Sequence, residues 1–117
     1  MDVGTDIVDI ERIAKLIDRH GKGFCYRFFT DLECQYCFSK PQPAQHFAGR
    51  FAIKESIIKI LGAQTFKEIE VVNREDGKPI LNLYGTAKKV AEKLGYTNIS
   101  ISISHAQKQA VAIAVAL

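Results

Sequence analysis

Apolar and polar residues change period several times along the chain, and each change marks an element. Val3, Thr5 and Ile7 alternate with Gly4, Asp6 and Val8, so apolar groups fall on both faces and predict a short, largely buried strand. That strand carries Asp6 among apolar neighbours. Ile10, Ile13, Ala14 and Ile17 then recur at helical spacing, with Asp9 placed to cap the helix and Gly21 to stop it. Arg12, Lys15 and Arg19 line up on the opposite side. After an aromatic stretch (Phe24, Tyr26, Phe28, Phe29), Thr30 and Glu33 form a capping-box pattern that opens a short helix toward Phe38. Ser39-Lys40-Pro41-Gln42-Pro43 breaks the chain but is too short to link domains.

The longest helical pattern runs from Ala44 to Leu61 and ends at Gly62. On a wheel of about 100° per residue, Phe47, Ala48, Phe51, Ala52 and Ile58 form one apolar side and Ile53, Ile57 and Ile60 another. Charges are confined to two narrow files, His46/Arg50/Lys54 and Glu55/Lys59. A helix apolar nearly all round is normally buried, so these charges need partners or ligands. Strand-like runs from Glu68 to Asn73 and from Ile80 to Tyr84 flank Arg74-Glu75-Asp76-Gly77-Lys78-Pro79 and predict a hairpin. Thr86 is placed to cap a last helix with Ala87, Val90, Ala91 and Leu94 inward, stopped at Gly95. Ile99, Ile101 and Ile103 then alternate with serines, and Val111, Ile113, Val115 and Leu117 with alanines, predicting a second hairpin. The alanine face of Ala110, Ala112, Ala114 and Ala116 permits close approach of a helix or of another subunit.

With 117 residues, 47% hydrophobic and 25% charged, the chain has the size and composition of one globular domain spanning 1–117, which excludes disorder and collagen-like structure. The net charge of +3 is too mild to mark a nucleic-acid domain. No apolar run approaches the roughly 18 residues of a membrane span. An odd count of three cysteines, with no leader-like pattern at Met1-Asp2-Val3-Gly4, predicts a reduced, cytoplasmic setting.

Asp6 and Glu55 are the two acids set in strongly apolar elements, where a bare carboxylate is costly. Either they share a divalent cation, for which Mg²⁺ suits one or two carboxylates plus phosphate oxygens, or each pairs with a nearby Lys or Arg. Lys59, one turn beyond Glu55, is the obvious competitor for such a pair. Arg50, Lys54 and Lys59 are candidates for phosphate, with His105 at a strand end as a further donor and His46 at the mouth of the site; the alternative is that they are long side chains with solvated ends. Cys34 and Cys37 form a C-x-x-C without a second pair, and with Cys25 they are expected to pack rather than to bind zinc. Arg12, Lys15 and Arg19 bordering Leu16 form either a docking stripe for an acidic helical partner or an ordinary basic surface.

Four segments coincide in one family. Gly4-Thr5-Asp6-Ile7-Val8-Asp9-Ile10-Glu11-Arg12-Ile13, Phe47-Ala48-Gly49-Arg50-Phe51-Ala52-Ile53-Lys54-Glu55-Ser56, Asp76-Gly77-Lys78-Pro79 and Ser102-Ile103-Ser104-His105 resemble, in this order, the holo-[acyl-carrier-protein] synthases, the small bacterial 4'-phosphopantetheinyl transferases. The resemblance implies an α+β fold with a largely antiparallel sheet packed against the long helix and shorter helices. It also implies transfer of the 4'-phosphopantetheine arm from coenzyme A to a serine of apo-acyl carrier protein, with adenosine 3',5'-bisphosphate released, in fatty acid biosynthesis.

Carried over residue by residue, it makes Asp6 and Glu55 the Mg²⁺ ligands, and puts Lys59 and His105 with the coenzyme A phosphates. Arg50 and Gly77-Lys78-Pro79 fall near the nucleotide end, and Arg12, Lys15, Leu16 and Arg19 on the helix that meets the carrier. Glu55, Lys59 and Asp6 thereby become the catalytic set. A homotrimer with sites between subunits is implied too, and would give the alanine face its purpose. Thr5 stands where the family usually has an aliphatic residue and Ile53 where it has alanine; neither is a ligand position. A different class, a non-catalytic basic module for an acidic protein or nucleic acid, would account for the first helix but leave Asp6 and Glu55 without a role.

Overall fold

The computed structural model describes residues 1–117. In chain order it contains β1 (Asp2–Asp9), α1 (Ile10–His20), α2 (Lys22–Phe28), α3 (Asp31–Phe38), α4 (Pro43–Leu61), a 3-10 turn (Phe66–Glu68), β2 (Ile69–Asn73), β3 (Pro79–Leu83), α5 (Gly85–Lys93), β4 (Ile99–His105) and β5 (Gln109–Ala116). The fold is α+β. One antiparallel sheet has the order β1-β5-β4, and β2 with β3 forms a second, two-stranded one. No helix is long and apolar enough to cross a membrane.

Helix α4 is the spine, and its sequence explains why the sheet lies so close to it. Gly4, Asp6 and Val8 of β1 pair with Ala114, Ala112 and Ala110 of β5, and this small-residue face packs against α4. A Cβ on Gly4 would stand 2.1 Å from the Ser56 carbonyl oxygen, so only glycine allows β1 to lie on the helix backbone here. The four alanines are buried against the chain's own helix, and the expectation that this face meets another subunit is therefore corrected. The opposite face is the open one. Val3, Thr5 and Ile7 pair with Val115, Ile113 and Val111, and Ser100, Ser102 and Ser104 flank these on β4. Ile7 is 57% and Ile113 44% exposed, so β1 is not buried on both sides as its composition suggests. Periodicity reports that both faces are apolar; it does not report what covers them.

Around the other side of α4 the aromatic stretch forms α2, a helix that the pattern did not resolve. Phe29 meets Phe47 edge-on at 4.9 Å, and Phe38 meets the same ring at 5.1 Å. Cys25, Cys34 and Cys37 are fully buried among these rings, and burial pushes their thiols up to about 11, 12 and 12. The capping box at Thr30 and Glu33 forms in full. Two other caps differ from expectation. Asp9 occupies the N-cap position of α1 without a side-chain cap bond, and its carboxylate accepts instead from Gln109 Nε2 at 3.2 Å. Helix α5 is capped by Glu68, which accepts from the Thr86 and Ala87 amides, rather than by Thr86. Leu94, expected inward, is 50% exposed beyond the end of α5.

Candidate active site

Two polar clusters sit along α4. The first is built by β1 and the C-terminal half of the helix. Because Gly4 rests on Ser56, Asp6 on the same face of β1 comes down beside the segment that carries Glu55 and Lys59. Lys59 Nζ donates to the Thr5 carbonyl at 2.6 Å and lies 3.4 Å from Asp6 Oδ1, whose side chain is 20% exposed. The i,i+4 pair between Glu55 and Lys59 does not form. Glu55, half-buried, has neither an ion pair nor a side-chain hydrogen bond within the chain. Helix α4 thus presents one unpaired carboxylate, and β1 beside it a second one held by a single lysine. This oxygen donor set on two adjoining elements fits a hard divalent cation such as Mg²⁺.

A groove beside the Glu55 pocket belongs to α1. Arg12, Lys15, Leu16 and Arg19 line an open cleft of about 1200 Å³, and Arg12 and Leu16 also line an adjoining pocket of about 660 Å³ walled by Phe24, Phe28, Phe51 and Phe66. Glu55 stands in that second pocket. Arg12 and Leu16 thus line both the cleft that holds the cationic stripe and the pocket that holds the free carboxylate. Arg12 and Arg19 are exposed and carry no ion pair, whereas Lys15 reaches Glu11 at 3.6 Å on the surface. Leu16 is half-buried against the core rather than fully exposed.

The second cluster lies at the N-terminal half of α4. Arg50 is only 3% exposed; its guanidinium stacks 4.2 Å from the Tyr36 ring and donates to Asn73 Oδ1. Asn73 Nδ2 in turn donates to the Gly77 carbonyl at 2.8 Å, which links Arg50 to the Gly77-Lys78-Pro79 turn through one side chain. Gly77 takes φ 86°, a conformation that favours glycine, and the Asp76 side chain accepts from the Lys78 amide at 3.0 Å. His105 stands over Gly49, where a Cβ would come within 3.0 Å of its Nε2, and its ring is 6.0 Å from His46. Burial, and then the nearby Arg50, His105 and Lys40, push the His46 imidazole down from its ordinary value.

Lys54 corrects the phosphate expectation. It is fully buried, pairs with Glu33 at 2.8 Å, and donates to the carbonyls of Phe66 and Ile69. Glu33 closes the set by accepting the Val71 amide at 3.0 Å. Lys54 is a bolt joining α3, α4 and β2, with no donor left for a ligand. Lys59 and His105, grouped by the resemblance, are also separated: His105 sits at Gly49, ten residues before Lys59, or about 15 Å along the helix axis. Asn73 and Tyr36 were not foreseen. Tyr36 lay within the short helix pattern without a distinguishing neighbour, and Asn73 merely ends a strand before a turn.

Comparison with known proteins identifies the family. The family model of the 4'-phosphopantetheinyl transferase superfamily matches residues 2–116. The chain belongs to that family. It is 41% identical to the holo-[acyl-carrier-protein] synthase of Syntrophus aciditrophicus over 117 residues, covering 96% of this chain and 91% of that protein. It is 44% identical to the synthase of a Thermoanaerobacter species, covering 98% and 86%. Among solved structures it is similar to the Neisseria meningitidis synthase, with a TM-score of 0.87, 32% identity and coverage of 98% and 96%. It is likewise similar to the Helicobacter pylori synthase in complex with coenzyme A, with a TM-score of 0.86, 30% identity and coverage of 99% and 100%. The α+β architecture is thus that of the 4'-phosphopantetheinyl transferases.

Proposed function

We propose that the protein is a cytoplasmic, Mg²⁺-dependent holo-[acyl-carrier-protein] synthase serving fatty acid biosynthesis. The observation that carries this reading is that Arg12 and Leu16 line both the cleft of the Arg12/Arg19 stripe and the neighbouring pocket that holds the unpaired Glu55. It matches an acidic protein delivering a side chain to a carboxylate. The carrier's serine oxygen forms a bond to the phosphorus that bears the pantetheine arm, the bond from that phosphorus to the bridging oxygen breaks, and adenosine 3',5'-bisphosphate leaves. Asp6 and Glu55 are the residues that would hold Mg²⁺, which would neutralise charge on the pyrophosphate. Lys59, already beside Asp6, adds a fixed positive charge on the same side. Glu55, in the pocket that Arg12 and Leu16 also line, takes the serine proton directly or through a water. Arg50, His105 and the Gly77-Lys78-Pro79 turn bind the phosphates and nucleotide end of coenzyme A.

Two features support an assembly of copies, in our reading a homotrimer. The Arg50 and Glu55 positions differ by about 140° around α4, so one chain turns its two clusters to different sides. A ligand that meets both therefore lies between neighbouring copies. The apolar outer face of β1 and β5 supplies surface for such contacts.

Incubation with apo-acyl carrier protein, coenzyme A and Mg²⁺ should add one phosphopantetheine arm to the carrier, read by mass spectrometry. An unmodified carrier, with no Mg²⁺-dependent coenzyme A affinity, would instead favour a non-catalytic binding module. The carrier surface has its own test. Arg12→Glu with Arg19→Glu should lower kcat/KM for the carrier by roughly tenfold or more at low salt, because steering charges act on association. The deficit should shrink at high salt, and the KM for coenzyme A should stay unchanged. An unaltered carrier dependence would rule out α1 as the docking surface.

A further inference from the structure

We propose that Asn73 is a positioning residue that locks Arg50 to the Gly77-Lys78-Pro79 turn, so that arginine and turn grip the anionic nucleotide end of coenzyme A as one preformed unit. The inference deepens the coenzyme A reading above and rests on it.

Arg50 is the starting point. A guanidinium presents five N–H donors and no acceptor. Here its one acceptor within the chain is Asn73 Oδ1, and its Nε is buried with no hydrogen-bond partner. No carboxylate pairs with it. One face of the group is taken by the Tyr36 ring, over which the Lys40 ammonium also sits at 4.7 Å, so this side brings no carboxylate to it. A buried cation left in this state is costly, and an anion is the missing partner.

Asn73 determines which way that cation points. Its amide has a single orientation that satisfies both neighbours: the oxygen must face Arg50, which only donates, and the nitrogen must face the Gly77 carbonyl, which only accepts. Side-chain geometry at Arg50 and backbone geometry in the turn are thereby joined through one residue. The turn is already stiff, with the Gly77 amide donating to Arg74 O at 2.8 Å and the Arg74 amide to Lys78 O at 2.9 Å. Lys78 carries no ion pair and stays available at the rim. Preorganised groups lose less freedom when a ligand binds, so the link should appear as affinity for the donor substrate rather than as chemical rate.

The test uses Asn73→Ala and Asn73→Asp in the full-length protein. Titration calorimetry with coenzyme A and with adenosine 3',5'-bisphosphate is read beside steady-state KM and kcat and thermal melting. Asn73→Ala should raise Kd for both ligands and KM for coenzyme A roughly tenfold, the scale of one charge-assisted hydrogen bond, with kcat within about twofold. Asn73→Asp discriminates further. It keeps an acceptor for Arg50 but neutralises the cation and sets a carboxylate against the Gly77 carbonyl, so it should weaken binding at least as much as alanine without a lower melting temperature. A merely structural asparagine predicts the reverse order, with aspartate the better substitute. Binding and KM within twofold of wild type in Asn73→Ala, or wild-type affinity in Asn73→Asp, would overturn the inference while leaving the transferase reading intact. A wild-type protein that transfers nothing to the carrier would sink the transferase reading itself, and this inference with it.

Discussion

Alanine at Asp6 or at Glu55 is expected to lower carrier modification by roughly a hundred- to a thousandfold, the scale seen when a group that stabilises developing charge is removed. The two variants fail for related but separable reasons. Glu55→Ala removes a carboxylate that no other residue of the chain engages, so nothing in the fold loses a partner. Its melting temperature should stay unchanged or rise. Asp6→Ala also releases Lys59, which retains the Thr5 carbonyl at 2.6 Å, so folding should survive there as well. Initial rates by mass spectrometry across a Mg²⁺ titration, with melting curves alongside, separate lost chemistry from lost structure. Near-normal Mg²⁺-dependent turnover in either variant would remove that carboxylate from the site.

The largest effect on stability is expected at Lys54. Lys54→Ala should cost about 3–5 kcal/mol, because it strands the Glu33 carboxylate, itself fully buried, and leaves the Phe66 and Ile69 carbonyls without their donor. The Thr30 and Val71 amides still reach Glu33, which holds the loss near the lower end. Burial holds the Lys54 ammonium below the ordinary lysine value, and Glu33 pulls it back only in part. A lysine with a lowered folded-state pKa disfavours folding by a constant amount below that pKa. The cost fades as pH climbs from there to the unfolded value. The double variant Lys54→Met with Glu33→Leu should therefore recover much of the loss, since an apolar pair can replace a buried ionic one. Urea denaturation of the two variants checks this; equal losses in single and double variants would show that the pair is not the source.

The site was legible where chemistry and spacing coincide within one segment. Asp6 and Glu55 stood out because a carboxylate in an apolar stretch is anomalous whatever the fold; in the structure Asp6 pairs with Lys59 while Glu55 has no ion pair. The Asp76-Gly77-Lys78-Pro79 turn was readable for a similar reason, since a glycine at φ 86° and an aspartate two residues before an amide are local requirements. Lys54 is the counterexample. Its position on α4 is equivalent to that of Arg50 one turn earlier, yet one is spent on Glu33 from α3 and the other keeps an unpaired guanidinium.

By itself the amino-acid sequence determined the elements other than α2, the stops at Gly21 and Gly62, the capping box, the burial of α4 and the family, because each rests on neighbours within a few turns or on motifs contiguous in the chain. Only the tertiary structure decided which cation meets which acid, that the alanine face of β5 serves the chain's own helix, that Glu68 rather than Thr86 caps α5, and that Asn73 joins Arg50 to a distant turn. These are choices among partners far apart in sequence. An ammonium or a carboxylate takes whichever counter-group the packing of α4 against two sheets brings within about 3–4 Å, and no periodicity along the chain encodes that distance.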